Sequence, residues 1–255
     1  MENVINSVLV TGAANGIGAA CVDKFIEQGC RYVIALDKDE VKLHEMRHKY
    51  RDKDIIFIAI IADLTSQDYY SQLNDALQPL GQLEAIVLSH GIADENEISE
   101  RDIFARVMDV NVTSCQSIIA QCENKLAKGS AVLFISSILG KMGNLRNTAY
   151  CSSKHAQLGM MKGLAMDWAR HGIRVNAILP CYVDTPLLRS ELQKQADMVG
   201  STLDQVMRKA KKRIPMRAYV QSSDIADSAY FLCSQQARMI TAQSLIIDGG
   251  SSCGG

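Results

Sequence analysis

The sequence TGAANGIG, residues 11–18, determines how the first part of the chain folds. It follows a short apolar run at 7–10 and precedes a stretch of helical periodicity at 19–28, so its glycines at 12, 16 and 18 lie at a strand-to-helix corner. The start of such a helix presents unpaired N–H groups and the positive end of the helix dipole, and both favour a phosphate. Glycine is required where a side chain would block a ligand or where φ is positive. We therefore predict that this corner binds the phosphates of a dinucleotide.

The glycine spacing leaves an alternative. It reads G-x-x-x-G-x-G, which differs from the G-x-G-x-x-G of the commonest dinucleotide-binding fingerprint. It is not a P-loop, because no Gly-Lys-Ser/Thr follows. Glycines in a purely structural turn are the alternative interpretation.

Apolar runs of strand length alternate with longer stretches of helical periodicity along the whole chain. The predicted strands are 7–11, 32–37, 55–61, 85–88, 131–136, 174–179 and 244–247, and the predicted helices lie near 17–28, 39–50, 66–78, 100–127, 148–170 and 222–234. The strands are continuous in Val, Ile, Leu and Ala, as in a parallel sheet that is covered on both faces. Right-handed crossovers then give an α/β fold, a Rossmann-type doubly wound parallel sheet of about seven strands with helices on both faces. We expect a single domain over residues 1–255, with a polar substrate-loop insertion near 186–213, after a strand end where such sheets bind ligands.

The composition is typical of a globular protein and excludes some partners. Hydrophobic residues make up 47% and charged residues 22%, and 27 basic against 28 acidic residues give a net charge of −1. This balance gives no electrostatic reason to expect nucleic acid or an anionic membrane as a partner. No apolar run approaches the ~20 residues of a membrane span, and the first strand begins too early for a signal peptide. We expect a cytoplasmic protein.

The eight cysteines include no C-x-x-C pair. A chain of this length can bury a large core and does not need a disulfide framework. We expect reduced thiols that pack as small hydrophobic side chains, and no metal site.

A carboxylate ends the second predicted strand. Asp37, nineteen residues after Gly18, can accept hydrogen bonds from the adenosine ribose of NAD and would repel the 2′-phosphate of NADP. A surface aspartate that caps the helix starting near Asp39 is the alternative. Lys38 and Arg31 are nearby cations, so some tolerance of NADP remains possible.

A second carboxylate, Asp63, ends the third strand before Leu64. It is a candidate to bind the adenine amino group. A helix N-cap before Ser66 is the alternative.

A tyrosine and a lysine lie four residues apart in AYCSSKHA, residues 149–156. On a helix, Tyr150 and Lys154 share one face. A buried cation beside a phenol favours the phenolate and would lower a pKa of about 10 toward the working pH, which makes Tyr150 a candidate proton donor or acceptor for an alcohol–carbonyl pair. Ser136 and Ser137 end the fifth strand, and Ser137 can hold a substrate oxygen against the phenol. An isolated Tyr–Lys pair would more commonly have a packing or surface role.

Further motifs stand in order along the chain: Asn111 in DVNVTS, RVNAILP at 174–180, Thr185, and IDGG at 247–250. With these, the chain resembles an NAD(P)-dependent short-chain dehydrogenase/reductase nearly from end to end. The resemblance implies a catalytic tetrad of Asn111, Ser137, Tyr150 and Lys154. Tyr150 would be the acid/base and Ser137 would orient the reacting oxygen. Lys154 would lower the tyrosine pKa and hold the nicotinamide ribose, and Asn111 would fix a water that relays protons to bulk solvent.

The resemblance also implies a nicotinamide cofactor, with hydride passing between nicotinamide C4 and the carbon that bears the substrate oxygen. Val183, through its backbone, and Thr185 would hold the carboxamide. The cofactor-binding residues we expect are Gly12, Asn15, Gly16, Ile17, Gly18, Asp37, Lys38, Asp63, Leu64, Ser89, His90, Gly91, Tyr150, Lys154, Pro180, Val183 and Thr185. Because of Asp37, NAD is favoured over NADP.

Two positions depart from the family pattern. Relatives carry Asn-Asn-Ala-Gly where this chain has Leu-Ser-His-Gly at 88–91, which keeps only Gly91. His90 has an ordinary pKa of about 6.5 and could act in catalysis, or it could simply line the adenosine side of the cleft. Cys181 follows Pro180 where relatives carry glycine, and a redox-sensing thiol is one hypothesis for it.

The expected activity is hydride transfer between NAD(H) and a small-molecule secondary alcohol or ketone. One alternative is reduction of a 3-oxoacyl thioester, which the stretches KMGNLRNTAY and GIADEN suggest, although such reductases typically use NADPH. An alternative of another class is an NAD-binding scaffold or regulator without turnover.

The sequence also suggests residues for the substrate pocket and for subunit contacts. Leu139, Tyr182, Leu187 and Leu188 could line the pocket, and Lys141 or Arg146 could meet an anionic group unless they are exposed loop positions. The helices near 100–127 and 148–170 carry Ile118, Ile119, Leu158 and Met161. By resemblance such helices pair subunits into a homotetramer or homodimer, and the alternative is that these residues face the sheet.

Overall fold

A computed structural model describes residues 4–253 of the chain. Its strands are β1 Ser7–Thr11, β2 Tyr32–Asp37, β3 Ile56–Ile61, β4 Ala85–Leu88, β5 Ala131–Ile135, β6 Arg174–Pro180 and β7 Ser244–Ile247. All pair in parallel, in the order β3-β2-β1-β4-β5-β6-β7. The predicted Rossmann-type sheet of seven strands is therefore confirmed. The predicted domain, residues 1–255, extends beyond the described residues at both ends.

Helices cover both faces of this sheet. They are α1 Gly16–Glu27, α2 Glu40–Lys49, α3 Tyr70–Leu77, α4 Arg101–Met108, α5 Ser114–Cys122, α6 Thr148–Trp168, α7 Pro186–Met198, α8 Leu203–Lys211 and α9 Ser222–Cys233. Single 3₁₀ turns follow α5, β5, α6 and α9. No helix within residues 4–253 combines the length and the apolar character needed to cross a membrane.

Two hydrophobic cores explain why the strands are apolar at every position. Successive side chains of a strand point to opposite faces, so Val8 and Val10 pack beneath α1, α2 and α9 while Leu9 packs beneath α3, α5 and α6. Ile118, Ile119, Leu158 and Met161 belong to the second core, and none is more than 5% exposed. The alternative interpretation of these four residues, that they face the sheet, is therefore confirmed.

Two helix predictions need correction. The helix predicted at 66–78 begins only at Tyr70, because Asp63 and Ser66 form a tight turn in which the Ser66 N–H donates to the Asp63 carbonyl over 3.1 Å. The helix predicted at 100–127 is interrupted by a π-helical turn, Asp109–Thr113, between α4 and α5. Such turns occur frequently at functional sites, and this one contains Asn111.

The segment at 186–213, predicted to be a loop, is helical. Thr185 caps α7 through its hydroxyl, Pro186 occupies the first helical turn, and Thr202 and Gln205 form a capping box at the start of α8. Each of these two helices buries only a narrow apolar face. Leu192, Ala196, Val206 and Ala210 form a small core between them, against which Tyr182 and Leu188 pack.

All eight cysteines lie within the described range and none forms a disulfide. Cys21, Cys30, Cys115, Cys122 and Cys233 are buried. The prediction that thiols pack as small hydrophobic side chains is confirmed for these five.

Candidate active site

The strand order reverses at β1, which pairs with β2 on one side and β4 on the other. Open α/β sheets bind ligands at this point, beyond the carboxyl ends of the strands. A cleft of about 580 Å³ lies there. It is lined by twelve of the predicted cofactor-binding residues: Gly12, Asn15, Gly16, Ile17, Asp37, Lys38, Asp63, Leu64, Ser89, His90, Gly91 and Thr185.

The glycine turn at 12–18 forms a cradle that side chains would fill. A Cβ on Gly12 would lie 2.9 Å from the backbone of His90, and a Cβ on Gly18 would overlap the Gly12 carbonyl oxygen. Gly12 and Gly16 also have φ of +63° and +52°, which L residues rarely adopt. A Cβ on Gly16 would lie 3.1 Å from the Thr185 methyl group across the cleft. Gly12 and Gly18 are therefore required by close packing of the protein's own backbone, and Gly12 and Gly16 by their positive φ. Gly12 and Gly16 also line the cleft beside the start of α1, and the residues present fit a dinucleotide.

Asp37 connects the end of β2 to this turn. Its carboxylate accepts the N–H groups of Ala14 over 2.9 Å and Asp39 over 3.0 Å. It does not cap α2, because Asp39 itself accepts the Lys42 N–H as the N-cap. The alternative interpretation of Asp37 as a helix cap is therefore wrong.

The two cations expected near Asp37 separate in the structure. Lys38 lines the cleft. Arg31 lies at the other end of β2, just before the strand begins, and forms an ion pair with Asp54. The expectation that Arg31 lies near the cofactor ribose is wrong, because a six-residue strand at about 3.3 Å per residue separates the two ends.

Asp63 and Asn15 make local contacts at the cleft. Asp63 accepts the N–H and the hydroxyl of Thr65 over 3.0 and 2.8 Å, and these bonds lower the pKa of its carboxyl. It therefore forms a turn and does not cap a helix. The Asn15 side chain hydrogen-bonds Asp39 and Lys42, which fixes the glycine turn to the start of α2.

His90 is a neutral, fully hydrogen-bonded residue beneath the cleft. Its Nδ1 lies 2.6 Å from the Thr11 hydroxyl and its Nε2 lies 2.6 Å from the Ser114 hydroxyl. Because the Ser114 hydroxyl donates to the Val110 carbonyl over 2.6 Å, Nε2 carries the proton and Nδ1 accepts from Thr11. Burial, and then the charge of Lys154, lower its pKa to about 3. A proton-transfer role for His90 near neutral pH has no support, and the lining interpretation is favoured.

Tyr150, Ser137 and Lys154 converge beside Gly91. The Ser137 hydroxyl hydrogen-bonds the Tyr150 phenol, and Lys154 Nζ lies 5.5 Å from the centre of the phenol ring. A Cβ on Gly91 would lie 3.1 Å from Asn111 Oδ1 and 3.6 Å from Lys154 Nζ. Gly91 thus leaves room at the cleft wall for both side chains.

The pKa of Tyr150 does not move in the direction predicted from the sequence. Burial, followed by the negative charge of Glu191, raises the pKa of the phenol, and the Ser137 hydroxyl opposes them. Lys154 donates away from the phenol, to the Ile135 carbonyl over 3.1 Å and to Gln157 Oε1 over 3.2 Å. Burial lowers the pKa of Lys154 itself to about 8.

The Asn111 side chain is completely engaged by protein groups. Its Oδ1 accepts the Ile92 N–H, and its Nδ2 donates to the Ile92 carbonyl and to the Ser153 hydroxyl, each over 2.9 Å. The π-helical turn aims it inward at zero exposure. Asn111 thereby ties the segment after β4 to α6, the helix that carries Tyr150 and Lys154.

Sequence reasoning missed Asn96, which fastens the other end of the same segment. This side chain is 2% exposed, and its Oδ1 accepts the Ala149 N–H over 2.9 Å. Asn147, at the N-cap position of α6, makes no side-chain cap. Asn96 therefore caps α6 from a distant loop, and only the tertiary structure could identify it.

Glu191 on α7 is a second missed residue. Burial raises the pKa of its carboxyl to about 7, while Lys194 acts in the opposite direction and Glu95 and Asp94 add to the increase. Its helix was expected to be a loop, so no periodicity placed it near Tyr150.

The remaining predicted residues surround the cleft without lining it. Pro180 ends β6 opposite Ile247, and Val183 is 7% exposed in an isolated bridge with Val220. Gly18 and Lys154 are buried, and Tyr150 is half-buried. Thr185 donates its hydroxyl to the Val183 carbonyl over 3.4 Å, which links the start of α7 to this bridge.

Comparison with known proteins supplies the family. The model of the family described as "Enoyl-(Acyl carrier protein) reductase" matches residues 12–252. The chain belongs to the short-chain dehydrogenase/reductase family. Members of this family bind nicotinamide cofactors, and this chain is an oxidoreductase that acts on CH–OH groups.

Relatives of this short-chain dehydrogenase/reductase are distant. An uncharacterized oxidoreductase of Bacillus subtilis, YxjF, is 30% identical over 250 residues, which are 95% of this chain and 96% of the relative. An uncharacterized short-chain type dehydrogenase/reductase of Sinorhizobium fredii is 29% identical over 95% of this chain, which spans only 43% of that longer protein. The solved structure of actinorhodin polyketide ketoreductase with NADPH matches 98% of this chain and 99% of that chain at 26% identity, with a TM-score of 0.89.

The second departure from the pattern of short-chain dehydrogenases/reductases, Cys181, has no activating environment. Burial and then the charge of Asp248 raise the pKa of its thiol to about 12. Because the thiolate is the reactive form, the hypothesis of a redox-sensing thiol has no structural support.

Proposed function

We propose that this protein is an NAD(H)-dependent oxidoreductase that interconverts a small secondary alcohol and its ketone, with Tyr150 as the acid/base. The convergence of Tyr150, Ser137 and Lys154 beside Gly91, at the wall of a glycine-cradled cleft, is the observation that carries this proposal. When bound, the nicotinamide ring donates or accepts the hydride at its C4 atom.

The preference for NAD is supported by Asp37. Its carboxylate lines the cleft and is fixed by the Ala14 and Asp39 N–H groups, so it cannot easily turn away. A fixed negative charge accepts ribose hydroxyls and repels a phosphate. Of the two cations expected nearby, only Lys38 remains in the cleft to favour NADP.

Within the site, each residue has a defined role. The Tyr150 phenolate takes the proton from the alcohol during oxidation, and the phenol returns it during reduction. Ser137 holds the reacting oxygen against the phenol. Lys154 holds the nicotinamide ribose and adds a positive charge at 5.5 Å from the ring. Because burial raises the pKa of the phenol, oxidation should become faster as the pH rises, until loss of the Lys154 ammonium sets an alkaline limb.

The charges around the site favour a neutral substrate. Arg146 is exposed and pairs with Glu95 and Glu97 over 3.4 Å, and Lys141 is exposed, so the exposed-loop interpretation holds for both cations. The Glu191 carboxylate is then the charged group that acts on Tyr150, since its negative charge raises the pKa of the phenol.

A 3-oxoacyl thioester is the second candidate substrate. A 3-oxoacyl-[acyl-carrier-protein] reductase of Staphylococcus aureus, 26% identical over 96% of this chain, favours it. The phosphate of a pantetheine arm would have to pass the carboxylate of Glu191, and such an enzyme would be expected to use NADPH. The proposal also includes a cytoplasmic location and a homotetramer or homodimer, as the sequence predicts.

A panel of secondary alcohols and ketones, with a 3-oxoacyl-CoA included, tests the proposal by NADH absorbance. We expect turnover of a neutral alcohol or ketone with NAD(H). Tyr150→Phe should lose at least about 100-fold in kcat, because general acid–base catalysis contributes that much, while NADH still binds.

Three outcomes would contradict the proposal. A preference for NADP of tenfold or more would refute the role of Asp37. Faster turnover of the thioester would replace the substrate class. If Tyr150→Phe and the wild type did not differ in turnover and both still bound NADH, the protein would be identified as a cofactor-binding scaffold.

A further inference from the structure

Gln157 lies at the centre of the buried polar groups behind the cleft. It is fully buried, one helical turn after Lys154 on α6. Its Oε1 accepts from Lys154 Nζ over 3.2 Å and its Nε2 donates to the Asn111 carbonyl over 2.7 Å. The amide therefore connects two of the proposed catalytic residues and uses both of its ends to do so.

The Asn111 carbonyl is crowded by this contact. The Cys115 thiol also donates to it, over 3.3 Å, and Gln157 Nε2 lies 3.8 Å from the same sulfur. The Asn111 side chain is engaged by Ile92 and Ser153. Every polar group of Asn111 that could hold a water beside Lys154 thus has a protein partner.

A side-chain amide and a water molecule differ in whether they can relay a proton. Both can bridge a donor and an acceptor, but a water exchanges protons readily, whereas a carboxamide N–H is a donor that does not ionise near neutral pH. The family resemblance implies a proton relay through a water held by Asn111, and this chain has Gln157 in contact with both Lys154 and Asn111.

We propose that Gln157 is a positioning residue of the site, which holds the Lys154 ammonium by a direct amide bridge to Asn111 in place of a bridging water. This inference rests on the proposed function of Tyr150 and Lys154.

The charge state of Lys154 depends on groups from each element around it. Its titratable neighbours are His90 at the end of β4, Cys115 on α5 and Tyr150 on its own helix. Burial lowers the pKa of Lys154 to about 8, and Cys115 opposes this. His90 is neutral, so the Gln157 amide oxygen and the Ile135 carbonyl are the acceptors for the ammonium among the described residues.

Two substitutions of similar size should move the Lys154 titration in opposite directions. Gln157→Met removes the acceptor, so the buried ammonium is less stable and its pKa falls. Gln157→Glu places a carboxylate against it, so its pKa rises. The measurement is kcat/KM against pH for alcohol oxidation, whose alkaline limb reports loss of the ammonium.

We expect the alkaline limb of Gln157→Met to move down by about one pH unit, with kcat/KM at pH 8 reduced about fivefold, and that of Gln157→Glu to move up by about one unit. Gln116→Met, the same substitution at an exposed position of α5, is the matched control and should leave the profile unchanged. A merely structural role of Gln157 would lower activity without displacing the limb.

The inference would be overturned if the alkaline limbs of both Gln157 variants coincided with that of the wild type. It would also be overturned if both limbs moved in the same direction. If Gln157→Met does not fold, the upward shift in Gln157→Glu decides alone. Loss of activity in Tyr150→Phe with unmoved Gln157 profiles refutes only this inference. A wild type without turnover refutes the proposed function instead.

Discussion

At the scale of single residues, His90 shows how one departure from a family pattern is accommodated. An imidazole occupies a position for which the family pattern has alanine, and it gains partners on two elements: Thr11 at the end of β1 and Ser114 at the start of α5. The Ser89 N–H donates to the same Thr11 hydroxyl over 3.1 Å. His90 therefore ties the glycine turn to the helix after Asn111 and remains neutral.

This burial predicts a pH dependence of stability. The folded pKa of about 3 lies below the unfolded value of about 6.5, so on acidification the unfolded chain gains a proton that the folded chain does not. The stabilisation is present above pH 6.5 and is lost as the pH falls toward 3. Between pH 7 and pH 5 the free energy of unfolding should fall by about 2 kcal/mol from His90 alone.

Urea denaturation of wild type and His90→Asn at the two pH values measures this effect. The variant should be less stable at pH 7, by about 1–3 kcal/mol for the lost contacts, and the gap should nearly close at pH 5. A gap of the same size at both values would contradict the prediction. His48→Asn, at an exposed position of α2, is the matched control.

At the scale of elements, the segment 92–96 holds the catalytic helix at two points. Asn111 binds its first residue, Ile92, and Asn96 at its end accepts the Ala149 N–H and donates its own N–H to the Arg146 carbonyl over 2.8 Å. Arg146 has a φ of +56° and is held there by ion pairs with Glu95 and Glu97. The start of α6, where Tyr150 lies, is thus fixed by loops from another part of the sequence.

Asn96→Ala should release this end of α6. Loss of a capping acceptor costs about 1 kcal/mol of unfolding free energy, and hydrogen exchange of the Ala149 amide should become faster. The matched control is Asn147→Ala, because Asn147 occupies the N-cap position but donates only to the Leu145 carbonyl. Equal exchange rates in the two variants would show that Asn96 is not the cap.

At the scale of the whole molecule, the residues that could form subunit contacts are not the ones expected from the sequence. The four apolar residues that suggested subunit contacts pack into the core. A shallow groove of about 190 Å³ remains between α5 and α6, lined in part by Met160, Leu164 and Trp168. The proposed dimer or tetramer would bury this face.

Light scattering coupled to size exclusion measures the assembly. We expect a mass of two or four times the 28.0 kDa of the chain, and Leu164→Glu, in the groove, should shift it toward the monomer because a charge would be buried in the contact. Elution of the wild type at 28.0 kDa would refute the proposal.

The sequence by itself determined the sheet and the cleft. Continuous apolar runs predicted seven strands to within one residue at each end, because each strand is buried on both faces and shows its burial in every residue. The glycines at 12, 16 and 18, and Asp37 after β2, predicted the cleft because their backbone and charge requirements are local. The short helices α7 and α8 escaped this reasoning, since each buries only a few side chains.

The tertiary structure decided which side chains meet and in what charge state. Asn96 hydrogen-bonds Ala149, which is 53 positions away, and Gln157 hydrogen-bonds Asn111, which is 46 positions away. The charge of Glu191 raises the pKa of Tyr150, 41 positions away. No local sequence pattern encodes such pairs. The direction of the Tyr150 pKa was predicted incorrectly, because proximity to Lys154 along a helix does not reveal where the ammonium donates. Desolvation and hydrogen-bond direction depend on the complete surroundings of a group, and only the folded chain supplies those.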